Sequence, residues 1–365
     1  MGGTQFDYAG QKMSSEMQML SAAEIVSLQR RVMPEFSDRI ILRYNILRHV
    51  SHAQPIGRRA LAQSLGESER HVRREENVLR TAGLLVVGPD GIRLSEDGED
   101  ILRDLAEYVG LLVGAQRLAD LLQHEFDLER AIVITGNSDE DEAVKKEMAR
   151  VGACVLRDMI SDGDVVAVCG GTTMAELAAQ TVPASGKRNV VVVPARGSLG
   201  EDVEKQADTV AALMAKKLGG VYRILNLPDD LGHELAASVA EEPRTKEVLD
   251  TIRQSRIVVH GVGTAVEMAR RRNMSPSEIE EIASLGAVGE AFGFYFDRDG
   301  EVVYITSSLG LRVSDLSAVE TVMCVGGGSS KGQALAAVLR NGFSHIVVTD
   351  EGAAREALGK TVDDA

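Results

Sequence analysis

The sequence predicts an α/β protein in two parts, a winged helix-turn-helix head followed by a larger doubly wound α/β domain. Three observations carry that prediction. Residues 38–94 hold short helical patterns and then two apolar runs around a Gly-Pro-Asp-Gly turn. From Ala131 onward, unbroken Val/Ile-rich runs alternate with helical patterns, the texture of parallel strands covered on both faces. Several of those runs end in Gly with Thr, Ser or a basic residue, the composition of loops at the carboxyl ends of strands. A length of 365 residues exceeds one ordinary core and suits a small domain joined to a large one.

In the head, Asp38 is placed to cap a helix whose apolar positions are Ile40, Ile41, Tyr44, Ile46, Leu47 and Val50, ending before Pro55. A short helix follows with Ile56, Ala60, Leu61 and Leu65 facing inward and Gly66 closing it. Ser68 caps a third helix whose inner face is Val72, Val78 and Leu79. Helix, glycine turn, helix is the pattern in which the second helix enters the DNA major groove. The DNA-binding candidates are therefore Arg58, Arg59, Ser68, Arg70, His71, Arg73, Arg74 and Asn77. The alternative for these arginines is a solvated helix face paired with Glu69, Glu75 and Glu76. Leu84–Val87 and Ile92–Leu94 around the turn read as the wing, from which Arg93 can meet a phosphate.

Charge supports the division. The chain carries −15 overall, yet residues 38–83 hold nine basic side chains against five acidic ones. A basic head on an acidic body is expected where only the head touches nucleic acid phosphate. Apolar and charged residues make up 44% and 26%, an ordinary globular balance. No apolar run has the ~18 residues a membrane span needs, and the first residues lack a signal peptide's apolar core. Cys154, Cys169 and Cys324 are widely spaced, form no metal-ligand pair and read as free thiols in a reducing cytoplasm. The expected divisions are a disordered leader over 1–24, the winged helix over 25–95, and one or two connecting helices over 96–127. Residues 128–365 form the ligand-binding and oligomerisation domain. Ser95 caps the connecting segment, whose stripe is Leu102, Leu105, Val109, Leu112, Val113, Leu118, Leu121 and Leu122.

The body's strand candidates are 131–135, 165–169, 190–193, 221–225, 257–260, 302–305, 322–325 and 346–348. Four of their ends favour an anion. Gly170-Gly171-Thr172-Thr173 opens a helix from Met174, bringing flexible backbone, hydroxyls and helix-start N–H groups together. Arg196, after Val193-Pro194-Ala195, can fork onto a phosphate. His260-Gly261-Val262-Gly263 leads to Arg270-Arg271-Arg272, and Gly326-Gly327-Gly328-Ser329-Ser330 leads to Lys331. One such end is no more than a tight turn, and the arginine triplet alone reads equally as a solvated helix end. Four in one acidic domain imply a ligand with more than one negative group. None has P-loop spacing, and the Gly170-Gly171 pair lacks the G-x-G-x-x-G dinucleotide spacing. Glu290, between glycines in an apolar neighbourhood, is placed to accept from sugar hydroxyls or to serve as a cap or ion-pair partner.

The head followed by V-C-G-G-T-T-M, P-A-R-G, H-G-V-G, G-A-V-G-E-A-F-G-F-Y-F-D and G-G-G-S-S-K resembles the SorC family of sugar-responsive transcription regulators, over about residues 25–360. The resemblance implies a body similar to glucosamine-6-phosphate deaminase and ribose-5-phosphate isomerase. It also implies a cytoplasmic repressor of a glycolytic operon, a homodimer or tetramer binding double-stranded operator DNA, with fructose 1,6-bisphosphate or a related sugar phosphate as effector. By motif it assigns Gly170, Gly171, Thr172 and Thr173 to one phosphate and Arg196 and Lys331 to charged phosphate contacts. Gln206, Arg271, Arg272 and Glu290 are assigned to further ligand contacts. It implies no cofactor, metal or catalytic residue.

The rival reading is an isomerase or deaminase on the same fold, which needs a carboxylate or imidazole poised to move a proton at the sugar. His260 precedes its glycines rather than following them, and Glu267 lies inside the next helix. Glu290 is the one remaining candidate base. A scaffold without ligand control is the third class, and the anion-friendly strand ends argue against it.

Overall fold

The computed structural model describes residues 25–359 except Ser27, Arg30, Arg31, Lys187, Gly200, Glu201 and Asp230, and except the side chains of Pro34 and His233. The leader expected over 1–24 lies outside the described residues. Helices α1 (Pro34–Ala53), α2 (Arg58–Ser64) and α3 (Glu69–Thr81) enclose Ile46, Leu47, Val50, Leu61, Val72 and Leu79. The antiparallel hairpin of β1 (Leu85–Gly88) and β2 (Gly91–Leu94) closes that core with Leu85, Ile92 and Leu94.

Several local expectations for the head are corrected. Helix α1 begins at Pro34, so Asp38 lies inside it and caps nothing. Proline is favoured in the first turn because its φ is already helical and its missing N–H would have had no acceptor. Ile56 lies outside α2 and pairs with Ile92, adding a short third strand to the wing. Ala60 and Val78 face solvent. On α3 the inward positions include Glu75 and Glu76, both buried. Arg43 and Arg74 hold Glu75, and Arg58 holds Glu76. Guanidinium pairing satisfies carboxylates that would otherwise be costly to bury.

The connecting segment is two helices, α4 (Glu96–Val113) and α5 (Ala115–Glu125), with Ser95 capping the first. They are broken at Gly114, which takes a left-handed φ of 79°. Leu102 and Leu105 pack on the head core, whereas Leu118 and Leu122 belong to the body core.

The body is built on β3 (Arg130–Ile134), β4 (Val165–Val168), β5 (Val191–Pro194), β6 (Val221–Tyr222) and β7 (Ile257–His260). Then come β8 (Gly263–Thr264), β9 (Gly289–Ala291), β10 (Phe294–Phe296), β11 (Val302–Ile305), β12 (Thr321–Val325) and β13 (Ile346–Asp350). Seven of these form one sheet in the order β3-β13-β12-β7-β4-β5-β6, and every neighbouring pair is parallel. Helices α6 (Glu142–Met159), α7 (Thr172–Gln180), α8 (Ala207–Leu218), α9 (His233–Ala240) and α10 (Pro243–Arg253) precede β7. Helices α11 (Ala265–Arg271), α12 (Pro276–Ser284), α13 (Val313–Leu316), α14 (Gly332–Arg340) and α15 (Glu351–Ala357) follow it. The continuous Val/Ile runs are explained by helices such as α6, α8 and α14, whose buried faces join the sheet in one core.

Residues 302–305 are corrected in kind. They form β11 of a second, antiparallel sheet, ordered β11-β10-β9-β8. The Asp297–Gly300 turn folds this strand straight back on β10, which a parallel crossover cannot do. The strand expected over 221–225 is only two residues long, because the Leu225 and Asn226 N–H groups donate to the Asp208 carboxylate instead. In the main sheet, the chain leaves β4 toward β5 on one side and reaches β12 from β7 on the other. The order reverses between β4 and β7, and such a switch point opens a crevice at the carboxyl ends of the strands.

Candidate functional site

The crevice is a cavity of about 760 Å³, including its mouth to solvent. Around it the structure brings together all ten ligand-binding candidates: Gly170, Gly171, Thr172, Thr173, Arg196, Gln206, Arg271, Arg272, Glu290 and Lys331. Gly171 is the N-cap of α7 with φ 112°, a conformation that L side chains rarely adopt. The helix therefore starts at Thr172, two residues before the expected Met174. The N–H groups of its first turn have no acceptor within the helix and face where an anion is favoured. Gly170 lies against the backbone of the 205–207 turn, where an added Cβ would stand 2.5 Å from the Lys205 carbonyl oxygen. That close approach brings Lys205 and Gln206 to the same rim.

Two buried guanidiniums form the floor. Arg196 Nε donates to Asp229 Oδ1 at 2.6 Å and its Nη2 to Thr306 Oγ1 at 2.9 Å. Arg272 Nε donates to Asp229 Oδ2 at 3.1 Å and its Nη2 to Glu290 Oε1 at 2.7 Å. Burial alone works against the Arg272 charge, but Glu290 and Asp229 outweigh it and hold its pKa above the ordinary value. Nη1 of Arg196 is buried without a hydrogen-bond partner among the described residues, which leaves a donor beside the cavity. The β9–β10 hairpin carries Glu290 and turns at Phe292-Gly293, both with positive φ. A side chain at Gly293 would collide with the Arg196 guanidinium.

The floor is thus neutral, two guanidiniums against two carboxylates, and the excess charge lies at the rim. Lys205, Arg271 and Lys331 raise the lining to five cations against two carboxylates in a chain of net charge −15, and Lys205 also pairs with Asp202 at 2.7 Å just outside the lining. Arg270, the first of the basic triplet, is exposed, while Arg271 lines the cavity and Arg272 is buried. Sequence reasoning missed Asp229, Lys205, Thr306 and Ser308, whose hydroxyl donates to the Asp229 carboxylate. Asp229 lies in Leu-Pro-Asp-Asp-Leu-Gly, a turn signal with nothing to separate its charge from an ordinary loop aspartate. Lys205 lies in a polar stretch with no motif.

Neither candidate base is placed to move a proton on a ligand. His260 is fully buried between Phe292 and Phe343 and does not line the cavity. Burial pushes its pKa down to about 4, against a small upward pull from the Gly261 carbonyl. The imidazole is neutral, with Nδ1 2.8 Å from that carbonyl. Glu290 is committed to Arg272 and to the Gly293 N–H. A depressed folded-state pKa stabilises the fold fully above the unfolded value of 6.5, and that contribution is lost as pH falls toward 4. The full span corresponds to about 3 kcal/mol. His260→Asn, which keeps a donor for Gly261, should flatten the fall in urea-unfolding stability between pH 7 and pH 4. An unchanged slope would show that His260 does not set it.

In the head, Ser68 caps α3 by accepting the His71 N–H. Arg70 and Arg73 are exposed and engage no partner among the described residues. Arg74 reaches Glu75, Arg58 forks onto Glu76, Arg59 meets Glu69 and His71 meets Glu67. Asn77 accepts from Arg80, and Arg93 pairs with Asp90 on the wing. The solvated-face alternative therefore accounts for part of the basic set and leaves Arg70 and Arg73 unpaired on the outer face of α3.

Residues 40–109 match the CggR N-terminal DNA binding domain, and residues 112–359 match the Sugar-bind family of sugar-binding domains. A DNA-binding head on a sugar-binding α/β body makes the chain a transcriptional regulator. Its relatives include the central glycolytic genes regulators of Bacillus subtilis and Priestia megaterium, 39% and 40% identical. Each similarity covers 92% of this chain and 98% of the relative. Among solved structures, a SorC family transcriptional regulator from Enterococcus faecalis has a TM-score of 0.62 at 36% identity, covering 66% of this chain and 99% of its own. The full-length sorbitol operon regulator SorC from Klebsiella pneumoniae shares the fold with a TM-score of 0.64 over 87% of this chain and 98% of its own, at 16% identity. The chain belongs to the SorC family, within its group of central glycolytic genes regulators. These relatives are regulators, not enzymes.

Proposed function

We propose that the chain represses a glycolytic operon and that a phosphorylated sugar, fructose 1,6-bisphosphate foremost, weakens or remodels its grip on the operator. The observation that carries this reading is the charge of the strand-end cavity: five cations to two carboxylates in a chain that is otherwise strongly acidic. One phosphate of the sugar takes the Gly170–Thr173 turn and Lys331. Arg196 is a further phosphate contact, the hydroxyls meet Arg272 and Glu290, and Gln206 and Arg271 complete the rim. Residues 25–95 act as the DNA-binding unit and 128–365 as the effector-binding and oligomerisation unit, in the cytoplasm. Paired heads of a dimer or tetramer read half-sites about one helical turn apart, or a multiple of it.

The two roles separate by substitution. Arg73→Ala should weaken operator binding by about tenfold, within the 1–3 kcal/mol typical of one good base contact, and leave sugar affinity unchanged. Arg74→Ala should act in the same direction but less, because Arg74 already has Glu75 as a partner. Thr172→Val should do the reverse, leaving the protein on DNA but unresponsive to the sugar. Gel-shift and calorimetric titrations of the three variants check this, and exchanged effects would overturn the division of roles. A melting screen across glycolytic intermediates tests the ligand. A sugar present at 100 times its Kd should add about 2.7 kcal/mol of stability.

A further inference from the structure

We propose that loop 135–141, between β3 and α6, is a two-sided positioning segment through which occupancy of the cavity reaches the head, by way of Asp139, Asp141 and Arg48. The inference rests on reading the cavity as a sugar-phosphate site and names how that site is transmitted.

One side of the loop holds the turn that presents Lys331. Asp139 Oδ2 accepts the Ser330 N–H at 2.8 Å and the Ser329 hydroxyl at 3.3 Å. Asn137 Oδ1 accepts the Ser329 N–H at 3.1 Å. Asp350 Oδ2 joins the two loops by accepting the Ser138 and Gly328 N–H groups, both at 2.8 Å. Gly328 has φ 96°, and a Cβ there would run into the Asp139 carboxylate, so the two loops are in direct contact. A shift of Lys331 toward a bound phosphate therefore pulls on residues 137–139.

The other side holds the head. Arg48, near the end of α1, is only 3% exposed although it belongs to the basic head. Its Nη1 donates to the Thr135 carbonyl at 3.1 Å and its Nη2 to Asp141 Oδ2 at 2.8 Å, so one guanidinium spans both ends of the loop. His49 Nε2 lies 3.2 Å from the same oxygen, while Asp141 Oδ1 caps α6 by accepting the Ala143 N–H. Burial works against the Asp141 carboxylate, but His49, the Ala143 N–H and Arg48 outweigh it and hold its pKa down to about 2. Arg48 is buried and Asp141 half-buried, so the pair is favourable in one geometry, and moving Asp141 away leaves a buried guanidinium without its partner. That makes the contact suited to two discrete arrangements rather than to gradual strain, which is the physical requirement for coupling two sites.

The test uses the full chain, a DNA fragment carrying its operator, and fructose 1,6-bisphosphate. The readout is the ratio of operator affinities without and with saturating sugar. In Arg48→Met and in Asp141→Asn, sugar affinity should stay within about twofold of the parent, while the ratio falls at least fivefold toward one. Asp139→Ala should lower sugar affinity several-fold although Asp139 does not line the cavity. A parent that responds and variants that respond equally would overturn the inference and leave the proposed function standing. A parent with no response would overturn both. Hydrogen exchange on the unsubstituted protein supplies a readout independent of variant folding. Sugar should change protection over residues 44–53 and 137–141, and no change in either segment would overturn the inference.

Discussion

Asp229→Ala is expected to destabilise the body by about 3–5 kcal/mol, the usual cost of removing one partner from a buried ion pair. Asp229 accepts from Arg196 on one oxygen and from Arg272 on the other, and all three side chains are buried. Removing it leaves two guanidiniums facing each other with only Glu290 between them. Asp229→Asn should cost less, because the amide oxygen can still accept from one guanidinium. The head core shares no residue with this cluster, so the loss should fall on the unfolding transition of the body. Urea unfolding followed by far-UV circular dichroism measures it. Alanine and asparagine variants as stable as the parent would show that the four charges do not depend on one another.

Gly170→Ala is expected to lower affinity for fructose 1,6-bisphosphate about 10- to 100-fold while leaving sugar-free operator binding intact. The added Cβ would stand 2.5 Å from the Lys205 carbonyl oxygen and 2.9 Å from the Ala207 nitrogen. Both are backbone atoms and cannot rotate away, so the Gly170–Thr173 turn and the 205–207 turn must separate. Overpacking of this kind typically costs 1–3 kcal/mol. Here the displacement falls on the two turns that bring Thr172, Lys205 and Gln206 to the cavity. Isothermal titration calorimetry gives the affinity, and a variant that binds the sugar as the parent does would remove Gly170 from the site.

The fold was legible where chemistry repeats along the chain. Continuous Val and Ile mark strands covered on both faces, and Ser68 and Ser95 mark helix starts because their hydroxyls accept N–H groups at the first turn. The cavity was legible for a related reason: glycines, threonines and a lysine at strand ends are required locally and leave local signatures. The misses are residues whose role is set by distant partners. Asp229 matters because two arginines from other segments converge on it. Arg48 counts in sequence as one of the head's basic residues, yet its burial against Asp141 depends on how head and body meet. Glu75 and Glu76 are buried through Arg43, Arg74 and Arg58, a pairing that helical periodicity predicts only in part. Residues 302–305 have the composition of a covered strand, and only the following topology places them in the smaller antiparallel sheet.

On the proposed function, one chain grips DNA with its head and releases or rearranges that grip when a phosphorylated sugar fills the body. This is tested by titrating operator binding of the whole 365-residue chain with fructose 1,6-bisphosphate, with assembly state followed in parallel by analytical ultracentrifugation. The sugar should bind, and operator affinity, or the assembly bound to the operator, should change as it does. Sugar binding that leaves both unchanged, or no sugar binding at all, would contradict it.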